Sequence, residues 1–297
     1  MRRGLEVTIV GPGRVGSALA KALYDAGMAV GEIVYRSTES GKAARRLAKA
    51  VEATAVEFEG WLKSRSIPPS GRARAPFPRL IWLCVGDSAI AETAAQMAKG
   101  GWWKGSTVFH SSGALTSDEL GLLRRAGAEV ASVHPMMTFV WSSLPPIHGV
   151  PFALEGDQRA VAVARKVVRT LGGESFEIHK KDKPLYHALG AFVSPLIIAQ
   201  MSAVERIGRE LAFTPRQTRR IVAPILEQTV RNYIAQGPAA AFSGPMVRGD
   251  AATVKKNLAA LRRVRGAAEI YRALARVAVE ELPSKDAAAI RKAIASR

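Results

Sequence analysis

The run Val7-Thr8-Ile9-Val10-Gly11-Pro12-Gly13-Arg14-Val15-Gly16 constrains this chain more than any other. Four β-branched residues lead into a G-x-G-x-x-G, and a helix-like pattern follows. That order predicts a strand, a tight turn and a helix N-terminus. Each glycine has a mechanical role. Gly11 permits the turn, Gly13 lets backbone approach a pyrophosphate, and Gly16 lets the helix pack on the strand. Phosphates would then face free N–H groups at the positive end of a helix dipole. Gly11, Pro12, Gly13, Arg14, Val15 and Gly16 are therefore the first candidate dinucleotide-binding residues. The alternative for such a motif is a glycine-rich turn of an α/β protein without a ligand.

The pattern around this motif alternates strand and helix. Strands are expected at 7–10, 32–35, 53–57, 80–85, 106–109, 129–133, 150–154 and 175–178. Helices are expected at 14–26, 41–50, 89–99 and 158–171, with a further one opened by the capping-box pattern Thr116-Ser117-Asp118-Glu119. After Lys180 the alternation stops. Helices are expected at 185–211, at 215–235 behind Thr214 and Pro215, after Asp250, at 267–281 and at 285–296. The expected fold is an α/β Rossmann domain with a mostly parallel, doubly wound sheet over 1–180, followed by an all-α C-terminal domain over 181–297.

Of the 297 residues 48% are hydrophobic and 23% charged, enough apolar material for a core. The net charge is +18. The basic residues are spread along the chain without a long Lys/Arg block, which favours a cationic surface attracting small anionic molecules over a nucleic-acid reader. Cys84 is the one cysteine, so an intrachain disulfide is excluded; its apolar run reads as a buried strand and its side chain as a small hydrophobe. No apolar segment precedes the first strand, and a cytoplasmic location is expected. Residues 64–78, with four prolines and a glycine, read as a surface insertion. The stretch 185–204 carries no formal charge and is long enough to cross a bilayer. His187, Ser194, Pro195, Gln200 and Ser202 within it favour a central helix buried by other helices, and no membrane association is expected.

Cofactor choice should be written at the end of the second strand. NAD sites there often offer a carboxylate to the ribose roughly twenty residues past the glycines. This chain has Tyr35-Arg36-Ser37-Thr38. Arg36 and Ser37 suit a 2′-phosphate, so NADP is expected in preference to NAD. Gly86 and Asp87 follow the fourth strand, and Asp87 reads as a helix cap or a groove residue. Two later strands should end at the same carboxyl edge, bringing Ser111 to the cofactor and Ser112 and His134 to the chemistry. Lys183 and His187, four apart on one helix face, could bind a carboxylate or protonate a carbonyl oxygen. There is no H-E-x-x-H and no cysteine pair, so no metal is expected. Arg248, in the turn before Asp250, is a further residue that could reach a substrate, against a purely structural role for that turn.

Taken together, five segments resemble one family. They are Gly11-Pro12-Gly13-Arg14-Val15-Gly16, His110-Ser111-Ser112-Gly113, Ser132-Val133-His134-Pro135-Met136-Met137-Thr138-Phe139, Lys183-Pro184-Leu185-Tyr186-His187 and Gly244-Pro245-Met246-Val247-Arg248-Gly249-Asp250. The family is the Rossmann-like proteins carrying a DUF2520 domain. That group is similar to a superfamily holding 6-phosphogluconate dehydrogenase, pyrroline-5-carboxylate reductase and the F420-dependent NADP reductases. The resemblance implies a Rossmann domain, an all-helical C-terminal domain, a cleft between them and a homodimer formed through the helices. It implies no particular substrate. Ser194-Pro195 departs from the Ser-Asn of such relatives, and no Asn lies near Lys183, so a catalytic Lys–Asn pair does not carry over.

The leading expectation is an NADP-dependent oxidoreductase acting on a small polar or anionic substrate. Its nicotinamide would lie near Ser111, Ser112 and His134, with Lys183 or His187 as proton donor and His134 as the alternative. The second expectation is a protein that binds a dinucleotide as sensor or scaffold without turnover.

Overall fold

A computed structural model describes residues 5–65, 79–101, 103–142 and 144–295. The expectations placed on the N-terminal residues 1–4, on Ser296 and on the insertion from residue 66 to 78 lie outside the described residues. The chain divides into two compact units, the first ending at Ala191 and the second beginning at Phe192.

In the first unit, strands and helices alternate in the order β1 (Glu6–Val10), α1 (Arg14–Asp25), β2 (Ala29–Tyr35), α2 (Thr38–Ala50), β3 (Thr54–Glu57), α3 (Phe58–Lys63), β4 (Arg79–Leu83), α4 (Asp87–Gly100), β5 (Thr107–His110), α5 (Gly121–Arg125), β6 (Glu129–Pro135), β7 (Pro151–Gly156), α6 (Gln158–Thr170), β8 (Glu174–Glu177) and α7 (Lys183–Val193). The eight strands form one sheet in the order β3-β2-β1-β4-β5-β6-β7-β8. Strands β1 to β6 are mutually parallel. β7 runs antiparallel to β6 and parallel to β8. From β1 the chain first builds outward through β2 and β3, then crosses to the other side of β1 with β4. That reversal leaves a crevice outside the carboxyl ends of β1 and β4.

The inner strands β1, β4, β5 and β6 are buried on both faces, as parallel strands covered by helices must be, while the edge strands β3 and β8 are not. Alternate side chains point to opposite faces. Val7, Ile9, Leu80 and Trp82 join a core with Leu19 and Leu23 of α1, Leu47 of α2 and Val168 of α6. Val10, Ile81 and Leu83 join the other, with Trp61 of α3, Met97 of α4 and Leu123 of α5. Each such side chain, fully buried, contributes roughly 1.5–3 kcal/mol. The indole N–H groups inside these cores are satisfied: Trp61 donates to Glu32 Oε2 at 2.9 Å and Trp103 to Met97 O at 2.7 Å.

Two local expectations are corrected here. The capping-box helix from Thr116 is a 3-10 turn over Ser117–Leu120 followed by the short α5. Thr116 accepts from Asp118 N, while the Ser117 amide and hydroxyl are both taken by the buried Glu155 of β7. A carboxylate from another strand thus holds the first residue of this turn. Cys84, expected inside a strand, stands just beyond β4 and is half-buried. Loss of water around its sulfur pushes the thiol up to about 12, so it stays neutral.

The second unit holds α8 (Pro195–Glu210), α9 (Pro215–Ala241), α10 (Ala251–Leu261), α11 (Ala267–Glu281) and α12 (Ala287–Ala295). Thr214 and Gln217 cap α9 reciprocally, and Asp250 caps α10 through the Thr253 amide. α9 continues past its expected end to Ala241 across a kink at Gly237. Val254, Leu258, Val279, Ile290 and Ile294 form the core of α10, α11 and α12. The turn before Asp250 is tied to the start of α12: Ser284 Oγ donates to Met246 O at 2.7 Å and Lys285 N to Val247 O at 2.9 Å. The Arg248 side chain of that turn is exposed.

The continuous buried helix expected over 185–211 is two helices, and most of their apolar side chains are exposed. Pro195 has no N–H to continue the ladder, and the chain turns at Ser194 with φ −127° and ψ −86°. Within Lys180–Glu210 an 18-residue window of mean hydropathy 1.5 is long and apolar enough to cross a membrane by length and composition, yet only 6% of that window is buried. Leu185 is 77% exposed on α7, and Ile198 68% on α8. Apolar content predicted burial, but among the described residues these side chains are exposed.

Candidate functional site

The residues expected to bind the cofactor or carry the chemistry lie in the first unit; Arg248, the further residue considered for substrate, lies in the second. The glycine turn follows β1. Gly11 has φ +104°, and a Cβ there would fall 2.7 Å from the Cys84 carbonyl oxygen. A Cβ on Gly16 would fall 2.1 Å from Gly11 O. These two glycines are demanded by the protein's own packing. Gly13 differs: a Cβ there meets nothing closer than 3.8 Å. It is the N-cap of α1 and brings no side-chain oxygen to the first-turn amides. Pro12 is buried, Val15 packs partly on the core, and Arg14 is exposed. The turn thus presents uncapped N–H groups and one glycine with open space beside it, the features a pyrophosphate needs. Gly86 leaves the start of α4 without a side-chain cap as well.

At the end of β2, Ser37 caps α2 and exchanges bonds with Ser40. Arg36 is exposed but held. Its guanidinium donates to Gln96 Oε1 at 2.9 Å and Thr93 Oγ1 at 3.2 Å, and sits 4.4 Å over the Phe58 ring. Its ion pair with Glu92, at 3.9 Å, is exposed on both sides and weak. The cation is therefore held between the β2 end and α4.

The loop after β5 is tightly organised. His110 is fully buried; its Nδ1 accepts from Ser112 N at 3.1 Å and its Nε2 donates to Thr116 O at 3.0 Å. Burial first, then the Lys183 charge, pulls it down to about 4, so it is a neutral structural imidazole. Trp82 Nε1 donates to Ser111 Oγ at 2.8 Å. Ser112 Oγ donates to Asp87 Oδ2 at 2.8 Å and accepts from the amides of Ala114 and Leu115. Its hydroxyl, expected among the chemical groups, is fully committed to holding the loop. Asp87 lies in the first turn of α4, beyond the cap position, and receives that bond.

Lys183 opens α7 and is completely buried. Its ammonium donates to Ser112 O at 2.9 Å and to Ser132 Oγ; Ser132 Oγ itself donates to Ser112 O at 3.2 Å. Neither contact is a counter-ion. Desolvation pulls the ammonium down to about 8, against the opposing charges of Glu155 and Asp87. Two of its three N–H groups have partners among the described residues.

One turn further along the helix stands Tyr186, 8% exposed. Its hydroxyl lies 2.8 Å from His134 Nδ1. His134 is half-buried at the end of β6. Desolvation, then Lys183 and His187, pull it down to about 4. Burial pushes the Tyr186 phenol up to about 12. His187 is exposed, and it does not share the Lys183 bonds that the four-residue spacing suggested. The partners that sequence reasoning missed are Tyr186, Ser132 and Glu155. Tyr186 had a usable signal, being three residues from Lys183 and so also its helical neighbour. Ser132 had only its place two residues before His134, on the same side of β6. Among the described residues no three His, Cys, Asp or Glu side chains gather into a metal-binding group.

The geometry has counterparts among known proteins. Residues 1–135 match the Rossmann-like domain model, and residues 150–278 match the model described as a domain of unknown function, DUF2520. No curated protein matches the chain. Among solved structures, protein BF3122 from Bacteroides fragilis is 20% identical, with 92% of this chain and 97% of that one covered at a TM-score of 0.70. An imine reductase from Myxococcus stipitatus in complex with NADP+ is 16% identical, with 98% and 100% covered at 0.64. A reductive aminase from Aspergillus terreus in complex with NADPH and ethyl-5-oxohexanoate is 18% identical, with 97% and 99% covered at 0.62. At these identities the likeness is one of fold.

Proposed function

Because the chain joins a Rossmann-like domain to a DUF2520 domain, we propose that it is an NADP-dependent oxidoreductase acting on a small polar or anionic substrate. The observation that carries the proposal is Lys183. A buried ammonium without a carboxylate contact costs folding free energy. Retaining one at the loop ends of β5 and β6, with its pKa brought to about 8, suits a group that gives and recovers a proton near neutral pH.

The residues present fit the dinucleotide. The uncapped N-terminus of α1 and the open side of Gly13 would hold the pyrophosphate. Arg36, with Ser37 beside it, would hold a 2′-phosphate, and Gly86, Asp87 and Ser111 would border the nicotinamide half. When bound, NADP supplies or accepts the hydride. The protein's own contribution is the proton: Lys183 Nζ, oriented by Ser112 O and Ser132 Oγ, donates it to the reduced group through its remaining N–H. His134 lines the same edge, and the exposed His187 is the alternative donor. The +18 charge favours anionic substrates over cationic ones. The fold-level neighbours that carry NADP+ and NADPH support the cofactor assignment.

Thermal denaturation with NADPH, NADH, NADP+ and NAD+ tests this directly. A rise in Tm that is largest with the 2′-phosphorylated forms is expected. No rise with any of the four would sink the proposal. A second reading, dinucleotide binding without turnover, draws on His110 and the Ser112 hydroxyl being committed to structure. It predicts tight cofactor binding that no candidate substrate ever oxidises or reduces.

The proposal extends to a cytoplasmic homodimer. Leu185 and Leu189 on α7, Leu196 and Ile198 on α8, and Ile221 and Ile225 on α9 are exposed apolar side chains. Apolar surface on this scale is ordinarily covered. A second copy supplies such a cover without a membrane. Light scattering in detergent-free buffer should give twice the monomer mass; a monomer, or a protein soluble only with detergent, would exclude it.

A further inference from the structure

His134 offers two nitrogens to its surroundings, and they are used differently. Nδ1 lies 2.8 Å from the Tyr186 hydroxyl. The two rings meet edge to face, with centroids 5.4 Å apart and planes at 89°. Nε2 faces Gly113, where a Cβ would stand 2.8 Å away. Only a residue without a side chain leaves that nitrogen room. A phenol is a better donor than a neutral imidazole N–H, and a bare imidazole nitrogen is a better acceptor than a phenol oxygen. The Tyr186 proton therefore goes to Nδ1, and the ring's own proton goes to Nε2.

We infer that Tyr186 is a positioning residue that locks His134 in its Nε2–H tautomer, so that His134 serves as a neutral hydrogen-bond donor to an oxygen acceptor on the substrate. The role toward substrate rests on the oxidoreductase reading; the tautomer does not. The lock is rigid because Tyr186 is buried and its ring also packs against Phe176, with centroids 6.0 Å apart. The groups facing the imidazole disfavour a second proton: burial acts first, then Lys183 and His187 on α7, while buried His110 on β5 stays neutral. The Asp87 carboxylate is engaged by Ser112. His134 thus holds an oxygen, carbonyl or carboxylate, while Lys183 handles the proton. A substrate group that has only N–H donors to offer at that point, such as a protonated imine, gains nothing from His134.

The test is the imidazole nitrogen spectrum of full-length protein labelled with 15N-histidine, with His134 assigned from a His134→Gln variant. At about pH 7 the wild type should show the pure Nε2–H pattern, and Tyr186→Phe a mixture of tautomers. The Nδ1–H form in the wild type, or the same pure Nε2–H pattern in Tyr186→Phe, would overturn the inference. The wild-type spectrum decides even where the variant fails to fold. Failure of the oxidoreductase reading shows separately, as no NADPH-induced change in Tm, and leaves this spectrum untouched.

Discussion

The Lys183 ammonium donates to the backbone carbonyl oxygen of Ser112 at 2.9 Å, fully buried and with no carboxylate in contact among the described residues. This bond ties the start of α7 to the loop after β5. It makes the position of the charge independent of any side chain but its own and Ser132. Its consequences are measurable.

The first concerns pH. The folded pKa of Lys183, about 8, lies below its ordinary 10.5. Between those values the unfolded chain binds more protons than the folded one, so stability should rise as pH increases through that window. Below about 8 both states are protonated and the cost of the buried charge is fully present. The gain is at most about 1.4 kcal/mol per pH unit of the window. Lys183→Met removes the charge, so the difference in chemical-denaturation midpoint between wild type and variant should shift in favour of wild type from pH 8 upward. A constant difference would contradict the assignment. Turnover, once a substrate is found, should fall in Lys183→Met by about 10²–10⁴-fold, as expected for loss of a general acid.

The second concerns the glycines. Gly13→Ala meets open space and should leave stability within about 1 kcal/mol of wild type while weakening NADPH binding at least about tenfold. Gly11→Ala meets Cys84 O at 2.7 Å with φ +104° and should cost about 1–3 kcal/mol of stability by itself. Denaturation curves and cofactor titrations on the two variants separate the effects. Equal loss of stability in both would show that Gly13 has a packing role.

The third concerns cofactor choice. The exposed Arg36 stands over Phe58 of α3 and bonds Gln96 and Thr93 of α4. Arg36→Ala should cost about 1 kcal/mol or less in stability. It should cut the preference for NADPH over NADH by about 10-fold or more, the scale of one charge-assisted contact. Dissociation constants for both cofactors read this out, and an unchanged ratio assigns the 2′-phosphate elsewhere.

The fourth concerns assembly. Ile198 is 68% exposed on α8. In the proposed dimer Ile198→Asp should halve the mass seen by light scattering while the far-ultraviolet circular dichroism stays unchanged. Retention of the dimer would move the interface off α8.

Much of the fold was legible because its signals are local. All eight strands were visible as β-branched or apolar runs, including the short β3, and the glycine turn located the crevice. The antiparallel placement of β7 was not visible, since period-two alternation carries no direction. The turn before the short α5 is held by Glu155, a partner distant in sequence that no local pattern shows.

The site was legible as a set of residues but not as a set of bonds. Helical spacing made both Tyr186 and His187 neighbours of Lys183, and nothing local decides between i+3 and i+4. The packing of α7 against the ends of β5 and β6 decided it, burying Lys183 and Tyr186 and leaving His187 outside. It also turned Ser112 from a candidate reactive hydroxyl into a loop brace, because Asp87 arrives from a different strand end.

By itself the sequence determined the strands, most of the helices though neither α3 nor the break at Ser194, the phosphate-ready turn and the chemical types at the carboxyl edge, since these follow from backbone sterics and short-range periodicity. Only the tertiary structure decided which polar atoms pair, how far water is removed from Lys183 and His134, and that the apolar helices over 185–204 are left uncovered. Those properties depend on which distant segments meet, and desolvation and hydrogen-bond pairing act through space rather than along the chain.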